Sequence, residues 1–175
     1  MSDHPYRNKS PDEGRRAFLK ASGTALAGTV IAGWIPPAAS ASPLARESAY
    51  PVIDVAPLEA IRVNTPLAFT YPDERSPAIL VRLHEAAPGG VGPGSSIVAF
   101  SSLCTHKGCP VGYRPERKLL ICPCHWSSFD PAKAGQIVIG QASQSLPQIV
   151  LQVRSGMVQA VGLNGLIYGR HTNIL

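Results

Sequence analysis

All four cysteines of the chain fall in two short runs, Cys104-Thr105-His106-Lys107-Gly108-Cys109 and Cys122-Pro123-Cys124-His125, with twelve residues between them. Each run offers a thiol and an imidazole two or three residues apart. Thiolates and imidazoles are the ligands of zinc and of iron, and a site of two cysteines and two histidines on zinc fits this inventory. Zinc sites, however, usually group Cys with Cys and His with His, whereas each run here mixes the two. In a two-iron cluster one iron takes both thiolates and the other both imidazoles. Choosing Cys104, His106, Cys122 and His125 gives the spacings C-x-H and C-x-x-H and leaves Cys109 and Cys124 over, one in each run. On these residues alone both metals stay open.

Two such loops can meet only if strands bring them tip to tip. Residues 96–100 lead into the first run and residues 118–121 into the second, and residues 111–117 are expected to turn the chain between them. Gly108 and Pro110 flank Cys109 where a tight loop must wrap a centre, with backbone amides available to the sulfurs. Seventeen prolines, sixteen glycines and only 15% charged residues suit short strands joined by many turns. An all-β fold follows, and 175 residues allow one domain with its own core. Further strand-like runs occupy residues 52–55, 60–63, 67–71, 78–83 and 135–140. Residues 86–94 form a loop, Gly-rich but without the G-K-[ST] ending of a phosphate loop. Beyond residues 141–147, a covering loop, Ser155-Gly156 is a two-residue hairpin signal between strands at 148–154 and 157–161. Asn164-Gly165 repeats it before Leu166-Ile167-Tyr168, predicting a closing meander.

The N-terminus reads as an address. Arg15-Arg16-Ala17-Phe18-Leu19-Lys20 is followed by an uncharged run and Pro36-Pro37-Ala38-Ala39-Ser40-Ala41, the outline of a twin-arginine signal over residues 1–41, cleaved after Ala41. Only fifteen residues separate Lys20 from Pro36, and a membrane span needs roughly 20 apolar ones. Removal is therefore expected; retention would tether the domain to the membrane. Residues 42–175 carry eleven Lys/Arg against eight Asp/Glu, a balance that gives no reason to expect a nucleic-acid partner.

The C-T-H-x-G-C and C-P-C-H boxes resemble those of Rieske iron–sulfur proteins. The resemblance implies a [2Fe–2S] cluster with Cys104 and Cys122 on one iron and His106 and His125 on the other, and a Cys109–Cys124 disulfide. It also implies a Rieske fold of antiparallel sheets over residues 42–175, with a cluster-binding subdomain inserted at about residues 100–147. Leu146-Pro147 is similar to the Pro-containing loop that covers the cluster in that family. Ser127 keeps the position from which a hydroxyl reaches a bridging sulfide, and Phe129 stands where the cytochrome bc branch commonly has a tyrosine. His4, His84 and His171 belong to no box and read as solvated or structural. No catalytic triad or carboxylate pair is marked by any motif.

Export excludes the cytoplasmic oxygenases of the family and their ferredoxins. The run Cys122-Pro123-Cys124-His125-Trp126-Ser127-Ser128-Phe129-Asp130, with Lys133-Ala134-Gly135-Gln136, Gly140-Gln141-Ala142 and Leu146-Pro147, resembles the small subunit of arsenite oxidase. That implies a periplasmic electron-transfer subunit with no substrate site of its own. It would relay electrons from a large molybdopterin-containing catalytic subunit to a c-type cytochrome or azurin. The alternatives are the Rieske subunit of a quinol-oxidising cytochrome bc complex and, in a different class, a zinc-stapled interaction module.

Overall fold

Ile79-Leu80-Val81 and Ile97-Val98-Ala99-Phe100 are continuous apolar runs, the pattern of strands covered on both faces. In the computed structural model, which describes residues 50–174, they are β3 (Pro77–Arg82) and β4 (Ile97–Ser101), and every residue of β4 is buried. Both lie inside a six-stranded sheet with β1 (Ile53–Pro57), β2 (Pro66–Thr70), β9 (Gln148–Arg154) and β10 (Met157–Asn164), in the order β1-β10-β9-β4-β3-β2. All its pairings are antiparallel. Because side chains alternate along a strand, Leu80, Ile97 and Ala99 join one core with Ile149, Val158 and Ile167, while Ile79, Val81, Val98 and Phe100 face the other way.

That second face meets a smaller antiparallel sheet of β5 (Gly112–Arg114), β6 (Leu119–Ile121), β7 (Ser128–Asp130) and β8 (Gln136–Ile139), in sequential order. It is inserted between β4 and β9. Its inward residues Tyr113, Leu120 and Phe129 share one core cluster with Phe100, Cys104, Cys122 and Leu146. The apolar contacts that hold the small sheet to the large one thus also wrap the two unpaired cysteines. Among the described residues no helix is long and apolar enough to cross a membrane. The twin-arginine segment, residues 1–41, lies outside the described residues.

Three expectations are corrected, and one strand has no counterpart among them. Residues 60–63 form no strand: Leu58–Ala60 is a 3₁₀ turn, and Val63 makes only an isolated bridge to Arg82 beside Asn64, whose φ is +61°. The stretch 111–117 is not all turn, because Gly112–Arg114 pairs with β6 and the reversal lies beyond it. Strand β7 was not anticipated, three residues being too few to show a period. Residues 166–168 form no strand after Asn164-Gly165. Here Asn173 takes the place of a ladder partner: its Oδ1 accepts from the Ile167 amide at 3.0 Å and its Nδ2 donates to Gly165 O at 2.7 Å. The Ser155-Gly156 hairpin is present, with Arg154 opposite Met157 and both turn residues at positive φ.

The C-terminal tail is also held by charge. Arg170 donates through both terminal nitrogens to the Asp73 carboxylate, at 2.7 and 2.9 Å. This pairing, with the Arg75 amide and the Ser76 hydroxyl, pulls the Asp73 carboxyl down to about 2. An unfolded aspartate titrates near pH ~4. The pair therefore stabilises the fold fully above about pH 5, and the contribution is lost as pH falls from ~4 through ~2. Asp73→Asn should cost on the order of 1 kcal/mol at neutral pH, since the carboxylate is partly exposed. Melting curves of parent and variant across pH check this: the gap should close near pH ~2.

Candidate metal centre

The two cysteine–histidine runs fold on the same backbone frame. In the first, the Cys104 amide donates to Cys109 O and the Gly108 amide to Cys104 O, both at 2.8 Å. In the second, the Cys122 amide donates to Ser127 O at 2.9 Å and the Trp126 amide to Cys122 O at 3.0 Å. Each loop thus closes from a buried cysteine to the residue five later, with the residue four later at positive φ: Gly108 at +72° and Trp126 at +61°. At Gly108 the requirement is also steric, because a Cβ there would lie 2.7 Å from the Tyr168 ring.

The frames bring unlike groups to unlike depths. Cys104 and Cys122 are free, buried and close enough for their thiols to hydrogen bond. Burial raises the Cys104 thiol above its ordinary pKa, against the opposing effect of the His106 and Lys107 amides that point at its sulfur. His106 is half-buried and His125 exposed, their rings edge to face with centroids 4.8 Å apart. Cys109 and Cys124 are joined as a disulfide that ties the first loop to the second. The sulfurs of Cys109, Cys122 and Cys124 lie within 4.8 Å of one another. Two of them are spent on the bridge, so the trio is no three-thiolate ion site.

A third segment locks the pair. Ser127 is fully buried and its Oγ accepts from the amides of Gln141 and Ala142, each at 3.1 Å. Gly140 passes so close that a Cβ on it would lie 2.4 Å from Ser127 Cα. Thr105 Oγ1 donates to Gln144 O at 2.7 Å, tying the same segment to the first loop. Leu146 and Pro147 are both buried: Leu146 is in the core around Cys104 and Cys122, and the Pro147 carbonyl accepts from the Ser101 amide at 2.9 Å. The bonds to the two loops are made just before them. Phe129 is fully buried in that core. Sequence reading did not mark Thr105, whose acceptor lies 39 residues away.

Two adjacent buried thiols, two imidazoles nearer the surface and amides aimed at sulfur suit a two-iron cluster with split ligation better than a single tetrahedral ion. Residues 53–150 match the family described as the Rieske [2Fe-2S] domain. The chain is a Rieske [2Fe–2S] protein. Among its relatives, iodate reductase subunit IdrB of Denitromonas iodatirespirans is 40% identical over 162 residues, covering 91% of this chain and 85% of that one. The Rieske iron–sulfur subunit of the Streptomyces lividans cytochrome bc1 complex is 41% identical over only 68 residues, 38% of this chain and 40% of its own. Among solved structures, the soluble domain of Rieske protein II (soxF) from Sulfolobus acidocaldarius has a TM-score of 0.62 at 26% identity, covering 70% of this chain and 82% of its own.

In this Rieske domain the bridge closes a loop of sequence separation 15. A loop of that length is worth about 3 kcal/mol in the chain-entropy description. The double variant Cys109→Ser/Cys124→Ser is expected to lower the guanidinium midpoint of the cluster-loaded protein accordingly. Free-thiol labelling of the denatured, unreduced parent, with the free cysteines Cys104 and Cys122 accounted for, should find no additional thiols.

Proposed function

We propose that this chain is the electron-transfer subunit of a periplasmic, molybdopterin-dependent oxidoreductase that acts on an inorganic oxyanion, as iodate reductase does on iodate. Extent carries this reading. Similarity to the iodate reductase subunit runs through 91% of the chain, whereas similarity to the cytochrome bc1 subunit is confined to 38%. A shared cluster accounts for likeness in the two boxes, but likeness through the large sheet as well supports a shared assembly.

In this reading Cys104 and Cys122 hold one iron and His106 and His125 the other. The cluster supplies a one-electron centre. The chain's own residues do the rest: the core of Phe129 and Leu146 keeps water from the thiolate side, amides of the first loop donate to Cys104, and Ser127 anchors the covering segment that ends at Pro147. The imidazoles are the groups left for a partner to approach. That partner is a large molybdopterin-containing catalytic subunit, and a c-type cytochrome or azurin exchanges electrons with the pair. Export by the twin-arginine pathway delivers the folded domain to the periplasm.

The resemblance of the Cys122-to-Asp130 run to arsenite oxidase small subunits favours a second substrate. Direction of electron flow separates the two: iodate must take electrons, and arsenite must give them. The purified complex, reduced anaerobically, should lose its reduced-state EPR signal on adding iodate. If instead the oxidised complex gains that signal on adding arsenite, the arsenite reading replaces the first.

A further inference from the structure

The matched frames of the two loops set an unusual residue apart. Both need a positive φ four residues after the buried cysteine, a conformation that glycine adopts freely and bulky residues rarely. The first loop uses Gly108 there and the second uses Trp126. An outlier of this kind persists where something outside local backbone preference retains it. Packing within this chain does not retain it, since Trp126 is 68% exposed.

Its surroundings have one character. Strand β8 is the outer strand of the small sheet, with one side left unpaired among the described residues, and its Val138 and Ile139 are 57% and 68% exposed. Ile139 lies opposite Ser128 and Gly140 lies against Ser127, so the exposed end of β8 adjoins the stretch that carries Trp126. No Asp, Glu, Lys or Arg occurs from Leu119 to Phe129 or from Ala134 to Val153. Exposed apolar side chains on uncharged segments, beside an open strand edge, form a surface that proteins ordinarily keep covered.

We infer that Trp126, Val138 and Ile139, with the free edge of β8, are the permanent docking surface for the catalytic subunit, an inference that rests on the assembly proposed above. Lasting subunit contacts are the more apolar ones, while weak electron-exchange encounters use smaller contact areas and charge steering. Asp130 and Lys133 border Val138 but pair with each other at 3.7 Å, so a patch without net charge fits the fixed partner and not the transient acceptor. Trp126 directly follows His125, so a subunit seated there borders the exposed imidazole. Its contact surface is apolar and uncharged.

The experiment uses the full chain, affinity-tagged, in its native host. Parent protein should co-purify with a large subunit in fixed ratio and with molybdenum, and should stay bound up to about 1 M salt, where charge attraction is screened. Trp126→Gly and Ile139→Lys should each lower the recovered large subunit by about tenfold or more, with cluster content and EPR signal at parent level. Trp126→Gly should melt no lower than the parent, because glycine relaxes that backbone. Val52→Lys, an exposed apolar position outside the small sheet, should change nothing. Both variants retaining the large subunit would overturn the docking surface while leaving the assembly intact, as would a complex that dissociates in salt or a Val52→Lys loss equal to theirs. A parent that carries no large subunit, or pairs with a second copy of itself, would overturn the assembly.

Discussion

His106→Ala and His125→Ala are each expected to abolish the cluster's reduced-state EPR signal, whereas His84→Ala and His171→Ala should leave it at parent level. The four histidines differ in what surrounds them. The His106 and His125 rings stand 4.8 Å apart on loops whose free cysteines, Cys104 and Cys122, are buried. In the ligand set proposed above, removing one imidazole opens an iron position to solvent, since His125 is exposed and His106 half so. Neither of the two other cysteines in the loops offers a replacement thiolate, because Cys109 and Cys124 are committed to each other. The loop frames should survive, being closed by backbone bonds and the disulfide, so far-UV circular dichroism should be near that of the parent. Iron content and EPR then report the ligand and not the fold. A normal signal from either variant would show that the ligands are assigned wrongly.

Ser127→Ala should act on stability and on potential together. Its Oγ already accepts from two amides, so its own hydrogen is the one left to donate. Replacing it strands both amides, of which that of buried Ala142 cannot turn to water, at a cost on the order of 2–4 kcal/mol. If the hydroxyl donates to a cluster sulfur, the bond favours the reduced state, which carries one more negative charge. A charge-assisted bond of roughly 1.5–3 kcal/mol, at about 59 mV per tenfold change for one electron, corresponds to a potential lower by about 60–130 mV. Phe129→Tyr tests the complementary position. Phe129 is fully buried in the same core as Cys104 and Cys122, and a hydroxyl added there that reaches either sulfur should raise the potential. Crowding a filled core costs about 1–3 kcal/mol, so its melting temperature should fall even as its potential rises. Protein-film voltammetry of the three forms decides: an unchanged Phe129→Tyr potential, with the new hydroxyl in bonding distance of a ligand sulfur, would remove the argument.

The sequence by itself determined the candidate ligands of the centre and the class of fold, while the residue types alone left zinc and iron both open. Ligand choice depends on residue type and spacing, and the cysteines and histidines of both boxes are adjacent in the chain. Strands such as Ile97–Ser101, with their unbroken apolar runs, were legible for the same local reason, as was the Ser155-Gly156 turn. Only the tertiary structure decided what depends on distant partners. The split between buried thiols and imidazoles nearer the surface arises because the small sheet presses its inner face, Tyr113, Leu120 and Phe129, onto Phe100 and around Cys104 and Cys122. The Thr105 bond to Gln144 and the seat of Tyr168 against Gly108 join residues 39 and 60 positions apart, beyond the reach of any periodic signal. Asn164-Gly165 reads as a hairpin until Asn173 and Arg170 are seen to bind the tail elsewhere. Trp126 is an ordinary aromatic in the sequence. Its left-handed backbone and its exposure come from the closure of the loop around Cys122, because a hydrogen-bonded turn dictates φ at that position whatever side chain it carries.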